Sequence, residues 1–258
     1  MVDFPLLSLS VVSHGQIELV HQFLDDLRLR CYENGPSFEV ILTMNLPERI
    51  PFRLDDYPYP IRLVSNSQPK GFGANHNAAF AMARGEYYAV INPDIRLPEN
   101  PFPVLLMALS EGCTGVTAPL VLNASGQIED SARRFPSPGT ILRKVFGAAR
   151  GPDYLIGEDV LQPDWVAGMF MLFPCRVFAE LGGFDVGYFL YYEDVDLCAR
   201  LTMAGYAIKL CPQTHVIHEA RRSSHRSFKY MKWHLASMAR FFSSKPYQEA
   251  MKRRKQAL

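Results

Sequence analysis

The sequence has no uncharged apolar run of about 18 residues, so no transmembrane helix is expected. Its first residues, Met1-Val-Asp-Phe-Pro5, lack the basic start of a secretory leader. It has no CxxC pair. The five cysteines, Cys31, Cys113, Cys175, Cys198 and Cys211, form an odd and scattered set, which points to reduced thiols and a cytoplasmic location. There is no internal repeat, no low-complexity segment and no linker good enough to split the chain into independent domains. With 48% apolar and 21% charged residues among 258, disorder is excluded as well.

The chain also has little net charge, +1, but the balance is uneven. Residues 221–258 hold eleven Lys or Arg against the single acid Glu249, and the preceding 220 residues are acidic by nine. A basic tail on an acidic body suggests an anionic surface as partner. Within the tail Phe228, Met231, Leu235, Met238, Phe241 and Phe242 recur at helical spacing, with Lys229, Lys232 and Arg240 among them and Lys252 to Lys255 beyond. Such a basic amphipathic helix lies on anionic lipid or packs its stripe on a core. Nucleic acid is not an expected partner.

Against these absences stands Glu86-Tyr-Tyr-Ala-Val-Ile-Asn-Pro-Asp94. Tyr87 to Ile91 reads as a buried strand, which Pro93 must end. Asp94 is thereby placed at the carboxyl edge of a strand, where an open α/β sheet binds its ligands. A carboxylate there can hold a divalent cation, and the cation a diphosphate; Asn-Pro-Asp is equally a good turn.

Other strands are expected at Leu6–Val12, Phe38–Met44, Ile61–Val64, Val116–Val121, Trp165–Phe173, Tyr206–Leu210 and His215–Ile217. Helices are expected over Ile17–Leu29, from Gly71-Phe-Gly-Ala-Asn-His-Asn77 to Ala83 with Gly85 as the stop, over Arg176–Leu181, and over Tyr191–Leu201 with Gly205 as the stop. This alternation implies right-handed βαβ units and a mostly parallel sheet. Residues 123–163 read as a long mobile excursion over a site.

Glu193, Asp194 and Asp196 crowd the start of a helix, where the dipole favours acids. They also follow the aromatic run Tyr188 to Tyr192, so a sugar-binding wall with a general base is the other reading. His218 is a structural histidine or a metal ligand that completes the Asp94 site. Gly71 and Gly73 could let a phosphate approach the backbone, with Lys70 adding charge.

The order of these pieces resembles the family 2 glycosyltransferases of GT-A fold: Ser10 to His14, Gly71 to Asn77, Asn92-Pro-Asp94, Trp165 to Phe173, Leu181 to Asp185, Tyr192 to Arg200, and His218. Within that family it resembles bacterial rhamnosyltransferases of surface polysaccharide (O-antigen) synthesis. The resemblance implies a Rossmann-like nucleotide-sugar half over about residues 1–121, an acceptor half over 122–220, and a helical extension over 221–258.

It also implies roles. Asp94 and His218 would hold Mg²⁺ or Mn²⁺, with Asn92 a neutral ligand in place of the usual first Asp. Asp194, paired with Glu193, would deprotonate the acceptor hydroxyl. Val12, Ser13, Lys70, Gly71 and Asn77 would frame the nucleotide, with Asn45 where many members meet the base with an Asp. Trp165, Gly168 and Tyr192 would lie on the acceptor side. The implied reaction is an inverting transfer, with dTDP-rhamnose the favoured donor and a saccharide on polyprenyl diphosphate as acceptor, at the inner face of the cell membrane. Two alternatives stand beside it: a nucleotide-sugar-binding scaffold without turnover, and a metal phosphohydrolase.

Overall fold

A computed structural model describes residues 4–145, 151–219 and 228–256. Strands β1 (Leu7–Ser13), β2 (Phe38–Met44), β3 (Ile61–Ser65) and β4 (Tyr87–Ile91) are parallel neighbours in the order β3-β2-β1-β4. All seven residues of β2 are buried, which requires cover on both faces of the sheet. The sheet continues through β9 (Phe170–Pro174), β6 (Thr114–Asn123), β10 (Ala207–His218) and the short β5 (Ile95–Arg96). β9 is antiparallel to β4 and to β6, and β10 is parallel to β6. The result is one mostly parallel sheet of eight strands among the described residues.

Alternation along the strands sends side chains to two cores. Leu7, Leu9 and Val11 of β1 face α1 (Ile17–Asp26) and α3 (Phe102–Ser110), through Val20, Phe23, Phe102 and Leu105. On the other face Tyr88, Val90, Met171 and Phe173 meet Val177 and Phe178 of α5 (Cys175–Glu180) and Val195 and Leu197 of α6 (Glu193–Ala204). The chain winds β1, β2, β3 outward and then returns to β4 beside β1. That reversal opens a crevice at the carboxyl ends of β1 and β4, where Ser13 and Asp94 lie.

Four expectations need correction. Gly85 does not end a helix: α2 (Phe72–Phe80) stops five residues earlier. A side chain at Gly85 would lie 2.7 Å from the Leu7 and Ser8 backbone, so the glycine serves close approach to β1. Trp165–Phe173 is not one strand; β8 (Trp165–Val166) pairs with β7 (Ala132–Arg133) in a separate ribbon, and β9 starts only at Phe170. Tyr206–Leu210 and His215–Ile217 are parts of the single irregular strand β10. The 123–163 excursion carries structure of its own, β7 and α4 (Pro138–Val145).

The C-terminal segment forms two helices, α7 (Phe228–Ser243) and α8 (Lys245–Gln256). Phe241 and Ala250 are buried in the second core, and Arg253 donates to the Thr202 carbonyl at 2.8 Å. The apolar stripe is thus divided. Phe241 is buried and Met238 and Phe242 are partly buried against that core, whereas Phe228, Met231 and Leu235 are exposed. Arg221, Arg222 and Arg226 lie outside the described residues. No described helix is long and apolar enough to cross a membrane.

Candidate active site

Asp94 follows β4, and His218 ends β10, which pairs antiparallel with β5 immediately after Asp94. The pairing sets His218 Nε2 3.3 Å from Asp94 Oδ2, and the Glu219 amide donates to the Asp94 carbonyl at 2.8 Å. On the far side of the ring His218 Nδ1 meets Glu129 Oε2 at 2.8 Å. Burial alone would lower the imidazole pKa. The Asp94 and Glu129 carboxylates more than reverse that and push it up to about 9. The second Asp94 oxygen, Oδ1, is buried with no hydrogen-bond partner among the described residues. A carboxylate with an orphaned oxygen beside an imidazole is a donor set that suits a divalent cation. Among the described residues no three His, Cys, Asp or Glu form a cage that would hold one unaided.

Glu193 and Asp194 open α6. The two residues before them, Tyr191 and Tyr192, have φ of 69° and 67°, a left-handed backbone that costs of order 1–3 kcal/mol at each non-glycine position. That turn directs the acid pair into a cavity of about 410 Å³. Arg133, Arg134, Trp165, Tyr191, Tyr192, His234 and Met238 are among its walls. Asp194 is fixed by two amides: Gly168 donates to Oδ2 at 2.9 Å and Val195 to Oδ1 at 2.8 Å. A side chain at Gly168 would crowd the Phe72 ring at 3.3 Å and lie in ordinary contact with Asp194. Burial raises the Asp194 pKa, while the two amides and Arg133 oppose the rise. Glu193 is 5% exposed, its Oε2 has no hydrogen-bond partner among the described residues, and burial followed by the Asp194 charge drives its pKa well up.

Trp165 donates through Nε1 to the Arg134 carbonyl at 3.0 Å, and Arg133 stacks over its ring at 5.6 Å. These contacts make the β7–β8 ribbon one wall of the cavity. Asn92 joins the two sides of the site, its amide donating to the Met169 carbonyl at 2.9 Å, one residue from Gly168.

The nucleotide-side candidates cluster at the ends of β1 and β2 and the start of α2. Val12 precedes Ser13, whose hydroxyl donates to Glu48 at 2.7 Å; the same carboxylate accepts from the Gly15 and Ile17 amides. Asn45 brackets Lys70, accepting from its amide at 2.8 Å and donating to its carbonyl at 3.0 Å. Asn77 brackets Phe184 in the same manner, at 2.8 and 2.9 Å. A side chain at Gly71 would meet the Phe189 carbonyl oxygen, and one at Gly73 the Phe184 side chain. Their lack of side chains is therefore explained by packing against the 184–189 segment. His76, in the same motif, is a buried neutral residue on Ser10, its pKa lowered to about 3 by burial.

Glu129, Glu48, Arg133 and His234 were not candidates from the sequence. Glu129 follows a turn after β6, and the Leu122–Ile128 bridge with the bond from the Glu129 amide to the Val121 carbonyl at 2.8 Å brings it back along β6 to His218. No periodicity marks it.

Residues 8–153 match the family described as Glycosyl transferase family 2. The chain is a family 2 glycosyltransferase. That match covers Asp94 and the nucleotide side; the acid pair and His218 lie beyond it. This glycosyltransferase is 28% identical over 248 residues to the rhamnosyltransferase WbbL of Escherichia coli K12, covering 91% of its own chain and 92% of that protein. It is 30% identical over 193 residues to the N-acetylglucosaminyl-diphospho-decaprenol L-rhamnosyltransferase of Mycobacterium tuberculosis, covering 65% of this chain and 62% of that one. Its fold is similar to that of a mannosyltransferase from Pyrobaculum calidifontis in complex with GDP-mannose and Mn²⁺, with a TM-score of 0.64, 17% identity and coverage of 97% and 70%. It is also similar to GalNAc-T7 with UDP, GalNAc and Mn²⁺, with a TM-score of 0.65, 16% identity and coverage of 86% and 45%. The GT-A fold that the motif order implied is therefore the fold observed.

Proposed function

We propose that this glycosyltransferase moves L-rhamnose, with inversion, from dTDP-rhamnose to a saccharide carried on a lipid diphosphate at the inner face of a bacterial membrane, for surface polysaccharide. The observation that carries this reading is the Asp194 carboxylate, fixed by two backbone amides in an aromatic-walled cavity and tied through Gly168, Met169 and Asn92 to the end of β4. The two rhamnosyltransferases among the relatives support the donor, and the printed acceptor of one supports a lipid-linked saccharide.

In this reading Asp194 accepts the proton of the acceptor hydroxyl as its oxygen bonds to the anomeric carbon of the donor sugar. The bond from that carbon to the nucleotide diphosphate breaks, and its electron pair leaves with the diphosphate. Attack from the face opposite the leaving group inverts the anomeric centre, and no enzyme nucleophile is needed. Asp94 and His218 would hold a divalent cation, whose charge would stabilise the departing diphosphate. Trp165 and Tyr192 offer flat apolar faces to the acceptor sugar, and Gly168 keeps Asp194 aimed.

The test is product formation from labelled dTDP-rhamnose and an N-acetylglucosaminyl-diphospho-lipid, beside UDP- and GDP-sugars, with Mg²⁺ or Mn²⁺. Transfer from dTDP-rhamnose alone is the expected result. Donors that raise Tm but give no product with any acceptor would favour the scaffold reading. Free sugar released without acceptor would favour hydrolysis.

A further inference from the structure

The acid pair is delivered by a segment, residues 184–192, that lies between two helices distant in sequence. On one side α2 holds it, through Asn77 on Phe184 and the Phe72 amide on the Phe189 carbonyl at 3.0 Å. On the other side lies α7, which falls outside the residues matched to the family. Ser237 is 6% exposed, and its hydroxyl donates to the Leu190 carbonyl at 2.9 Å, immediately before the two left-handed tyrosines. The His234 ring stands edge-on to Tyr191 at 5.3 Å and to Tyr192 at 5.4 Å. Arg240 donates to Asp185 Oδ2 at 2.8 Å and occupies the space that a side chain on Gly187 would fill.

A left-handed pair of tyrosines is unfavourable by itself and persists only where its surroundings over-determine it. Helix α7 supplies that constraint. We infer that α7 is a working part of the catalytic site and that Ser237 is a positioning residue for Asp194, acting through Leu190 and the Tyr191–Tyr192 turn. Without the Ser237 bond the turn relaxes, and the first turn of α6 rotates Asp194 away from the Gly168 amide. The effect is selective because the donor is held at the ends of β1 and β4, which α7 does not touch through any of these contacts.

This inference rests on the assignment of Asp194 as base, and the experiment separates the two. Ser237→Ala, Ser243→Ala and Asp194→Asn are assayed in the full chain for kcat, donor KM, the pH profile of kcat, and Tm. Among the described residues Ser243 donates only to the Arg240 carbonyl on its own helix, so Ser243→Ala makes the same chemical change away from the turn. In Ser237→Ala, kcat falls roughly ten-fold, the scale of one lost hydrogen bond, with donor KM unchanged. The acidic limb of its pH profile moves up, because a base that loses an amide donor becomes harder to ionise. The charged and titratable groups facing Asp194 are Glu193, Tyr192 and Cys198 from its own segment and Arg133 across the cavity, with Arg134, Asp153, Tyr191 and, on α7, His234 lining the same space; none is altered. Ser243→Ala behaves as wild type. Wild-type kcat and acid limb in Ser237→Ala overturn the inference, and so does a fall in Tm with proportionate loss of donor affinity, which makes Ser237 a structural prop. If Asp194→Asn keeps turnover, the base assignment falls; if it loses turnover while Ser237→Ala does not, only the role of α7 falls.

Discussion

The Asn92 amide donates to the Met169 carbonyl at 2.9 Å, and the neighbouring Gly168 amide donates to Asp194. One three-residue turn, Ala167 to Met169, therefore connects the strand end that carries Asp94 to the carboxylate at the head of α6. It explains why Trp165–Phe173 cannot be a continuous strand. A straight ladder would carry the Gly168 amide into the sheet and leave Asp194 without its donor. The break in the strand is what brings leaving-group and acceptor chemistry to one place.

Asp94→Ala should abolish transfer, and chelation should abolish wild-type transfer. The reason is the buried Asp94 Oδ1, which has no hydrogen-bond partner among the described residues and stands beside His218 as a free oxygen donor for a cation. His218→Ala should weaken the Tm increase that donor plus Mn²⁺ produces, relative to donor alone. Undiminished transfer in excess chelator would remove the cation from the mechanism.

Asp194→Asn preserves size and removes basicity, and its single side-chain oxygen can accept from one of the two amides, Gly168 or Val195, that hold Asp194. Turnover should drop roughly 10²–10⁴-fold, the usual worth of general-base catalysis. Donor affinity, read by thermal shift, should remain. Loss of donor affinity with turnover reduced only in proportion would reassign Asp194 as a helix cap.

Glu193 gives a stability prediction with a definite sign. Its folded pKa is raised well above 4.5 because burial and the Asp194 charge disfavour its anion. The fold thus favours the protonated acid. That contribution is fully present below about 4.5 and is lost as pH rises through the folded value. Glu193→Gln, which cannot ionise, should raise Tm relative to wild type at pH 8, and the gain should vanish below pH 4.5. A gain equal at both pH values would mean that Glu193 is not held protonated.

Much of this was legible in the sequence because strand ends are chemical events. Ile91-Asn-Pro-Asp94 stops where proline must stop it, and Phe38–Met44 is apolar along its whole length because both its faces are covered. Glu193 follows an aromatic run, and Gly205 ends its helix in a left-handed cap at φ 89°, as glycine permits. What stayed hidden depends on distant partners. Gly85 and Gly71 read as a helix stop and a phosphate cradle, yet each is required by a backbone elsewhere in the chain. Glu129 reaches His218 only through the pairing of β6 with β10. The apolar stripe of the tail has one period whether it faces a core or a lipid, so the sequence could not divide Phe241 from Phe228.

That division sets the last prediction, attachment of α7 to an anionic bilayer. Phe228, Met231 and Leu235 are 81%, 54% and 52% exposed, and Lys229 and Lys232 are exposed among them. An apolar stripe flanked by lysines matches the interface of anionic lipid, where each lysine contributes about 1 kcal/mol. Truncation after Ser244 is a poor test, since it would strip Tyr247 from Phe241, 5.1 Å away, and expose the second core. The better variant is Lys229→Glu with Lys232→Glu, which leaves Ser237, Phe241 and α8 in place. Wild type should sediment with vesicles rich in phosphatidylglycerol and not with neutral phosphatidylcholine. Salt should weaken that binding. The double variant should bind at least roughly thirty-fold less well, the factor that corresponds to about 2 kcal/mol. A third protein, Phe228→Ser with Met231→Ser, should retain salt-sensitive recruitment but dissociate faster, because it keeps the charge and loses the apolar anchor. Equal sedimentation of all three proteins with both lipids, or sedimentation with neither, would leave the exposed face of α7 without a membrane role.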